Sequence, residues 1–259
     1  MKRSSRHLTS TYFKDSGPSS KNIEAPKKVM AIGAHPDDIE FGAGGTIAKW
    51  AQQGSEAVFV IMTDGSKGTW NPEADPLELA LRRQGEARRA AGTLAPRAAV
   101  EFLGWKDGEL RHGERAVAQL CHLIRLHQPD VLVAHDPWKR YRLHPDHRAA
   151  GFISSDALVA ARDPHFLPEL GRHHRPRALL LFEADEANHL ETLGELALRA
   201  KVEALLCHRS QHESSMEIND PADLAEVTSF RQAVREAAER TGASDGAELA
   251  EAFHLITEI

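Results

Sequence analysis

The chain has 259 residues, 41% of them hydrophobic and 27% charged, a length that suits one α/β domain and a composition that excludes both a membrane protein and a disordered one. Lys and Arg number 32 against 38 Asp and Glu, a formal charge of -6, so overall charge gives no reason to bind nucleic acid or an anionic membrane. The 2 cysteines, Cys121 and Cys207, are too few and too distant for a disulfide framework and fit a reducing, cytoplasmic setting, while the 15 histidines raise the question of a metal.

Residues 1–26 are basic and Ser-rich, contain Gly17-Pro18 and lack an apolar run, which excludes a signal-peptide core and predicts a poorly ordered arm. Residues 27–259 read as a single domain. Strands are predicted over 28–34, 57–62, 100–103, 131–134 and 178–182, each near-continuously apolar as a strand covered on both faces should be. Helices are predicted between them over 42–53, 76–92, 114–127 and 145–161, and then over 191–208 and 221–240. Right-handed crossovers wind this alternation into a Rossmann-like α/β fold: an open, mostly parallel sheet of core order 3-2-1-4-5 with helices on both faces. The first and fourth strands are then neighbours, and ligands belong in the crevice beyond their carboxyl ends.

Two His-Pro-Asp clusters fall there, His35-Pro36-Asp37-Asp38 after the first strand and His144-Pro145-Asp146-His147 after the fourth. A nucleotide-binding reading, prompted by Gly42-Ala43-Gly44-Gly45, fails because the turn that should cradle a phosphate holds Pro36 and two carboxylates. Gly42, Gly44 and Gly45 then serve close packing of the helix. Imidazole plus carboxylate is the donor set of a catalytic metal centre that keeps a position open. His35, one Asp of the first loop and a His of the second cluster can supply three ligands, and the remaining Asp can take a proton from the attacking water. For either cluster alone, a turn whose Asp caps the next helix is the simpler reading.

The stretch Gly33-Ala34-His35-Pro36-Asp37-Asp38-Ile39-Glu40-Phe41-Gly42-Ala43-Gly44-Gly45-Thr46-Ile47-Ala48 resembles the first signature of the PIG-L/LmbE-like zinc-dependent N-deacetylases, and His144-Pro145-Asp146-His147 resembles the second. Thr63-Asp64-Gly65-Ser66-Lys67-Gly68, Arg83-Gln84-Gly85-Glu86-Ala87, Asp107-Gly108-Glu109-Leu110 and the segment from Lys201 to His208-Arg209-Ser210-Gln211 follow in the family's order. The resemblance implies that His35, Asp38 and His147 ligate Zn2+, with Fe2+ as the alternative, and that Asp37 is the general base. It implies that His144, oriented by Asp146, stabilises the tetrahedral intermediate and protonates the leaving amine, and that Arg83 and Asp107 contact substrate. The implied reaction is hydrolysis of the N-acetyl amide of an N-acetylglucosamine-type sugar or glycoconjugate. Another acyl amide or a catalytically silent binding relative are the competing readings; retention of Asp37 and His144 beside the ligands argues against the silent one. A small-molecule amino sugar is thus the expected partner, and a homo-oligomer is compatible with the family.

If Pro145 opens a helix, His144 sits at its cap and His147 one turn on, facing the same cavity. Trp70 and Trp138 are expected on the rim, stacking on a sugar or anchoring their loops. The basic, aromatic run Trp138-Lys139-Arg140-Tyr141-Arg142 reads as a substrate-gripping loop that favours an anionic group. His112, His122, His127, His173 and His174 read as packing or surface residues, and His208 and Gln211 as ties between a late helix and the core.

Overall fold

The computed structural model describes residues 20–244 and 246–259. Residues 1–19, most of the predicted arm, lie outside the described residues. The strands are β1 (Ser20–Lys21), β2 (Lys28–Gly33), β3 (Glu56–Thr63), β4 (Ala99–Trp105), β5 (Val131–His135), β6 (Ala178–Phe182), β7 (His189–Thr192) and β8 (Ala250–Ile256). The helices longer than one turn are α1 (Asp38–Gln52), α2 (Pro76–Leu94), α3 (Glu114–His127), α4 (Pro145–Arg162), α5 (Glu195–Leu205), α6 (His212–Met216) and α7 (Leu224–Ala243). One sheet runs β1-β7-β8-β6-β5-β2-β3-β4. Its parallel segment β4-β3-β2-β5-β6 is the expected 3-2-1-4-5 order.

Alternation along the strands splits the apolar residues between two cores. Val29, Ala31, Phe59, Val131, Val133, Leu180 and Phe182 pack with α1, α2 and α5. Met30, Ile32, Val58, Val60, Leu132, Leu179 and Leu181 pack with α3 and α4. Because both faces are covered, the parallel strands read as continuous apolar runs in the sequence.

The structure corrects the sequence reading at the sheet's other edge. Residues 191–192 belong to β7, and α5 begins at Glu195, where one helix over 191–208 was expected. The misreading has a physical source, since β7 buries polar side chains. His189 and Glu191 lie two apart on one face, joined at 2.8 Å, and Glu191 is also paired with Lys49 and accepts the Ile23 N–H at 2.9 Å. Neither the antiparallel β8, which carries the buried Glu251, nor β1, which adds the end of the arm to β7, was signalled by hydrophobic periodicity. Among the described residues no helix is long and apolar enough to cross a membrane.

The site depends on how closely α4 approaches β5. A Cβ on Gly151 would lie 2.7 Å from the His135 carbonyl oxygen and 2.8 Å from the Pro137 nitrogen, both backbone atoms that cannot step aside. Gly151→Ala should therefore push α4, with His144 and His147, away from the end of β5. A loss of about 1–3 kcal/mol is expected from the overpacking, read as a lower urea midpoint with unchanged m-value.

Candidate active site

Parallel pairing of β2 with β5 (Val29 opposite Val131, Ala31 opposite Val133) brings the two His-Pro-Asp loops to one crevice. The first loop turns sharply. Asp37 has φ 106° and ψ -26°, a left-handed conformation unusual for a residue with a side chain, of the kind that costs about 1–3 kcal/mol and gathers at functional sites. The His35 N–H closes the turn by donating to Asp38 Oδ2 at 2.7 Å. In this way α1 starts at Asp38, four residues before its predicted start.

Donor atoms of three residues converge: His35 Nδ1 lies 3.1 Å from His147 Nε2, His147 Nε2 lies 3.3 Å from Asp38 Oδ1, and His35 Nδ1 lies 3.5 Å from the other Asp38 oxygen, Oδ2. Ligands about 2.0–2.1 Å from a tetrahedral zinc stand roughly 3.3–3.4 Å apart, so this trio fits such an ion. The outer nitrogen of His35 fits as well. Nε2 faces Asp146 Oδ2 at 3.1 Å and Asp107 Oδ1 at 3.3 Å, which places the proton there and leaves Nδ1 as the electron-pair donor, the usual carboxylate–histidine arrangement behind a metal. Burial lowers the His35 pKa, but Asp107, Asp146 and Asp38 outweigh it and hold it well above normal. The surroundings thus favour positive charge at this point.

Asp146 departs from its expected partner. Its carboxylate meets the His35 ring and accepts the N–H groups of Gly108 at 2.6 Å and Leu110 at 3.2 Å; towards His144 it offers only its backbone N–H, which donates to Nδ1 at 3.2 Å. As the N-cap of α4, with Pro145 beginning the helix, His144 accepts at Nδ1, so its proton belongs on Nε2. Burial, reinforced by His35 and His147, lowers its pKa. The predicted cap geometry of His144 and His147 is present, with ring centroids 4.8 Å apart.

The two adjacent carboxylates have opposite environments. For Asp38, burial is outweighed by His147 and His135, and its pKa is held well below normal. Asp37 is pushed up to about 6 by burial, against the pull of Arg83 and with a further push from Asp38. Arg83, on α2, is buried and reaches Asp37 Oδ2 at 3.5 Å while donating to the carbonyls of Pro36 at 2.7 Å and Gly65 at 3.0 Å. A Cβ on Gly68 would fall 2.0 Å from its NH1; the Gly65-to-Gly68 turn is thus wrapped on the guanidinium. Asp107 stands behind His35 and accepts the Lys67 N–H at 3.1 Å. Burial would raise its pKa, but the His35 hydrogen bond prevails and holds it at about 2.

Sequence reasoning missed His135 and Glu183 and gave Arg142 a different place. His135, the last residue of β5, lies with its Nε2 3.0 Å from Asp38 Oδ2, and burial lowers its pKa, consistent with a neutral ring that donates there. Arg142 is buried, with NH1 3.2 Å from His135 Nδ1 and 3.1 Å from His147 Nδ1, and is paired with Glu183. A histidine at the carboxyl end of the strand beside the first was the available signal for His135; nothing local marks Glu183 or the inward turn of Arg142. The seven sequence-named residues His35, Asp37, Asp38, Arg83, Asp107, His144 and His147 line one cavity of about 430 Å3, whose wall also includes Phe41, Lys67, Glu183, Gln211 and Ser215. Among the described residues, overlapping trios suited to a metal ion occur only here, as His35 with His144 and His147, Asp38 with His135 and His147, and His35 with Asp107 and Asp146. His112 instead pairs with Asp156 at 2.7 Å, His127 with Glu101 at 3.0 Å, and His174 with the Pro129 carbonyl at 2.7 Å.

Residues 30–158 match the family described as PIG-L: GlcNAc-PI de-N-acetylase. The chain is 34% identical over 200 residues to a diacetylchitobiose deacetylase of Thermococcus kodakarensis, spanning 71% of this chain and 70% of that one. It is 30% identical to a 1D-myo-inositol 2-acetamido-2-deoxy-alpha-D-glucopyranoside deacetylase of Streptomyces avermitilis over 56% of this chain and 57% of that one. A solved structure of N,N'-diacetylchitobiose deacetylase from Pyrococcus horikoshii, in complex with an inhibitor, superposes with a TM-score of 0.78 at 30% identity, covering 90% of this chain and 84% of the other. With the His-Asp-His trio, the adjoining Asp37 and His144 and these similarities in place, the chain belongs to the PIG-L family of metal-dependent N-deacetylases.

Proposed function

We propose that this protein hydrolyses the N-acetyl amide of an N-acetylglucosamine-type sugar or glycoconjugate, releasing acetate and a free amine, with zinc held by His35, Asp38 and His147. The observation that carries the reading is the division of labour around the ligand trio: Asp37 is a carboxylate pushed up to about 6 that belongs to none of the metal-suited trios among the described residues, and His144, its pKa lowered, accepts a backbone N–H at Nδ1 so that its proton belongs on Nε2. A divalent cation in the trio, zinc or in the alternative Fe2+, supplies Lewis acidity that polarises the amide carbonyl and acidifies water.

This chain's own groups do the rest. Asp37 takes the proton of the attacking water at its carboxylate, and a carboxyl near 6 is a better base than an ordinary one while still ionised at neutral pH. Arg83 fixes that carboxylate, and its donors to Pro36 and Gly65 keep the strained turn from relaxing. His144 donates a hydrogen bond from Nε2 to the developing oxyanion, and the proton that Asp37 has taken from the water passes to the departing nitrogen, which cannot leave as an amide anion. Asp146 acts with it through position, fixing the ring by its backbone N–H and His35 by its carboxylate. Arg83 and Asp107, at the cavity wall, meet substrate polar groups only by an edge, since their side chains are 3% and 7% exposed. The free thiols Cys121 and Cys207 support a cytoplasmic setting.

Acetate release from N-acetylglucosamine derivatives, compared between chelator-stripped and zinc-restored protein, tests the reading; zinc-dependent release is expected, and no release from any member of the panel overturns it. Asp37→Asn should lower kcat about 10²–10⁴-fold with one zinc still bound per chain by elemental analysis. His147→Ala should lose both zinc and turnover. Replacement of His144 by Ala should lower kcat by a similar factor to Asp37→Asn while zinc content stays at that of the parent protein.

A further inference from the structure

We propose that the loops after β5 and β6 form an outer site for the non-reacting part of the substrate, a polyhydroxylated sugar unit without an anionic substituent that rests on Trp138. The inference deepens the deacetylase reading above and depends on it. Beside the catalytic cavity lies a second one of about 660 Å3, lined by Asp136, Trp138, Arg140, Tyr141, Asp185 and Glu186 together with His254. Both cavities use the same two loops, which are tied by two rungs: the Arg142–Glu183 ion pair and the Arg140 N–H donating to Asp185 Oδ2 at 2.6 Å. Glu183 lines the catalytic cavity, whereas Asp185 and Glu186 line the second. Residues two and three apart in one loop, with Glu183 at φ 57°, a left-handed backbone, thus serve the two cavities.

Trp138 is 61% exposed, yet it is held in place. Its N–H donates to Asp136 Oδ1 at 2.9 Å, and its indole meets Phe152 edge to face, with centroids 5.9 Å apart and an interplanar angle of 82°. A large exposed ring fixed in orientation is a platform for the apolar face of a pyranose, and Tyr141, 86% exposed with φ 61°, adds a second ring at the rim. At the cavity wall, Asp185 and Glu186 carry carboxylates, groups that accept hydrogen bonds from sugar hydroxyls, while Asp136 is buried and holds Trp138. Charge decides the kind of ligand. The residues lining this cavity include three acids, Asp136, Asp185 and Glu186, and one arginine, Arg140, because Arg142, the other arginine of this loop, is turned inward and paired with Glu183. An anionic group is repelled, the reverse of what the basic run 139–142 suggests in the sequence.

The test compares kcat/KM of the zinc-loaded full chain for N-acetylglucosamine, its β-1,4-linked dimer and N-acetylglucosamine 1-phosphate. The dimer should exceed the monosaccharide by about tenfold or more, and the phosphate should gain nothing. Trp138→Ala should cut the dimer-to-monosaccharide ratio about tenfold through KM, Trp138→Phe should retain most of it, and Trp70→Ala, an exposed tryptophan lining neither cavity, should leave the ratio unchanged. Calorimetric titration with the fully deacetylated disaccharide gives a reading independent of turnover, with weaker binding expected in Trp138→Ala. A ratio and an affinity indifferent to Trp138→Ala overturn the outer site, as does a preference for the phosphate. So does a change of sedimentation in Trp138→Ala, which would assign the ring to contact with a second copy of the chain. If no sugar is turned over, the deacetylase reading fails, and the titration alone decides the outer site.

Discussion

Two consecutive carboxylates, Asp37 and Asp38, have to stand beside one another without behaving alike, and the rest of the site is arranged around that constraint. Like charges a few ångströms apart in a buried cavity oppose each other's ionisation. The left-handed turn at Asp37 sends the two side chains to different neighbours: Asp38 to the rings of His35, His135 and His147, Asp37 to the guanidinium of Arg83. The outcome is one carboxylate held well below the ordinary carboxylate range and one poised near 6. Strain of about 1–3 kcal/mol at a single residue is a small cost beside the separation of roles it produces, and the donors of Arg83 to Pro36 and Gly65 hold the turn in that form.

The scaffold contributes stiffness in the same region. The glycine-rich start of α1 does present backbone N–H groups to an anion, but the anion is the protein's own. Gly45 and Thr46 donate to the Glu251 carboxylate at 3.0 and 2.7 Å, and Lys201 bridges that carboxylate at 2.6 Å to the Phe41 carbonyl at 2.7 Å. This buried network joins β8 and α5 to the helix that carries Asp38. It accounts physically for glycines that would otherwise suggest a phosphate cradle, and it ties the antiparallel edge of the sheet to the catalytic turn.

How far the sequence could be read follows from where burial is apolar and where it is not. The parallel strands and the helices covering them were legible because doubly covered strands are written as continuous apolar runs, and the crevice followed from strand order. All eight sequence-named site residues come to that crevice, seven of them lining the cavity and Asp146 just behind His35. The edge strands were hidden because β7 and β8 bury His189, Glu191 and Glu251, whose paired charges look like surface polarity in one dimension. Within the site, residue type pointed to chemistry but not to orientation. Asp146 orients the His144 ring only through its backbone N–H and gives its carboxylate to His35; Arg142 was expected to face substrate and instead backs His135 and His147. Both differences depend on long-range partners, Gly108 and Leu110 for Asp146 and Glu183 for Arg142, which no local spacing reveals.

The central claim is that His35, Asp38 and His147 hold the metal while Asp37, for proton transfer, and His144, as hydrogen-bond donor to the oxyanion, stand outside the ligand set. The most direct measurement is an anomalous difference map from crystals of zinc-loaded protein collected across the zinc edge. The account predicts one peak about 2.0–2.2 Å from His35 Nδ1, His147 Nε2 and an Asp38 oxygen, with Asp37 and His144 outside the ligand sphere. A peak centred on the neighbouring trio Asp38, His135 and His147, or one that draws in Asp37 as a ligand, would contradict it.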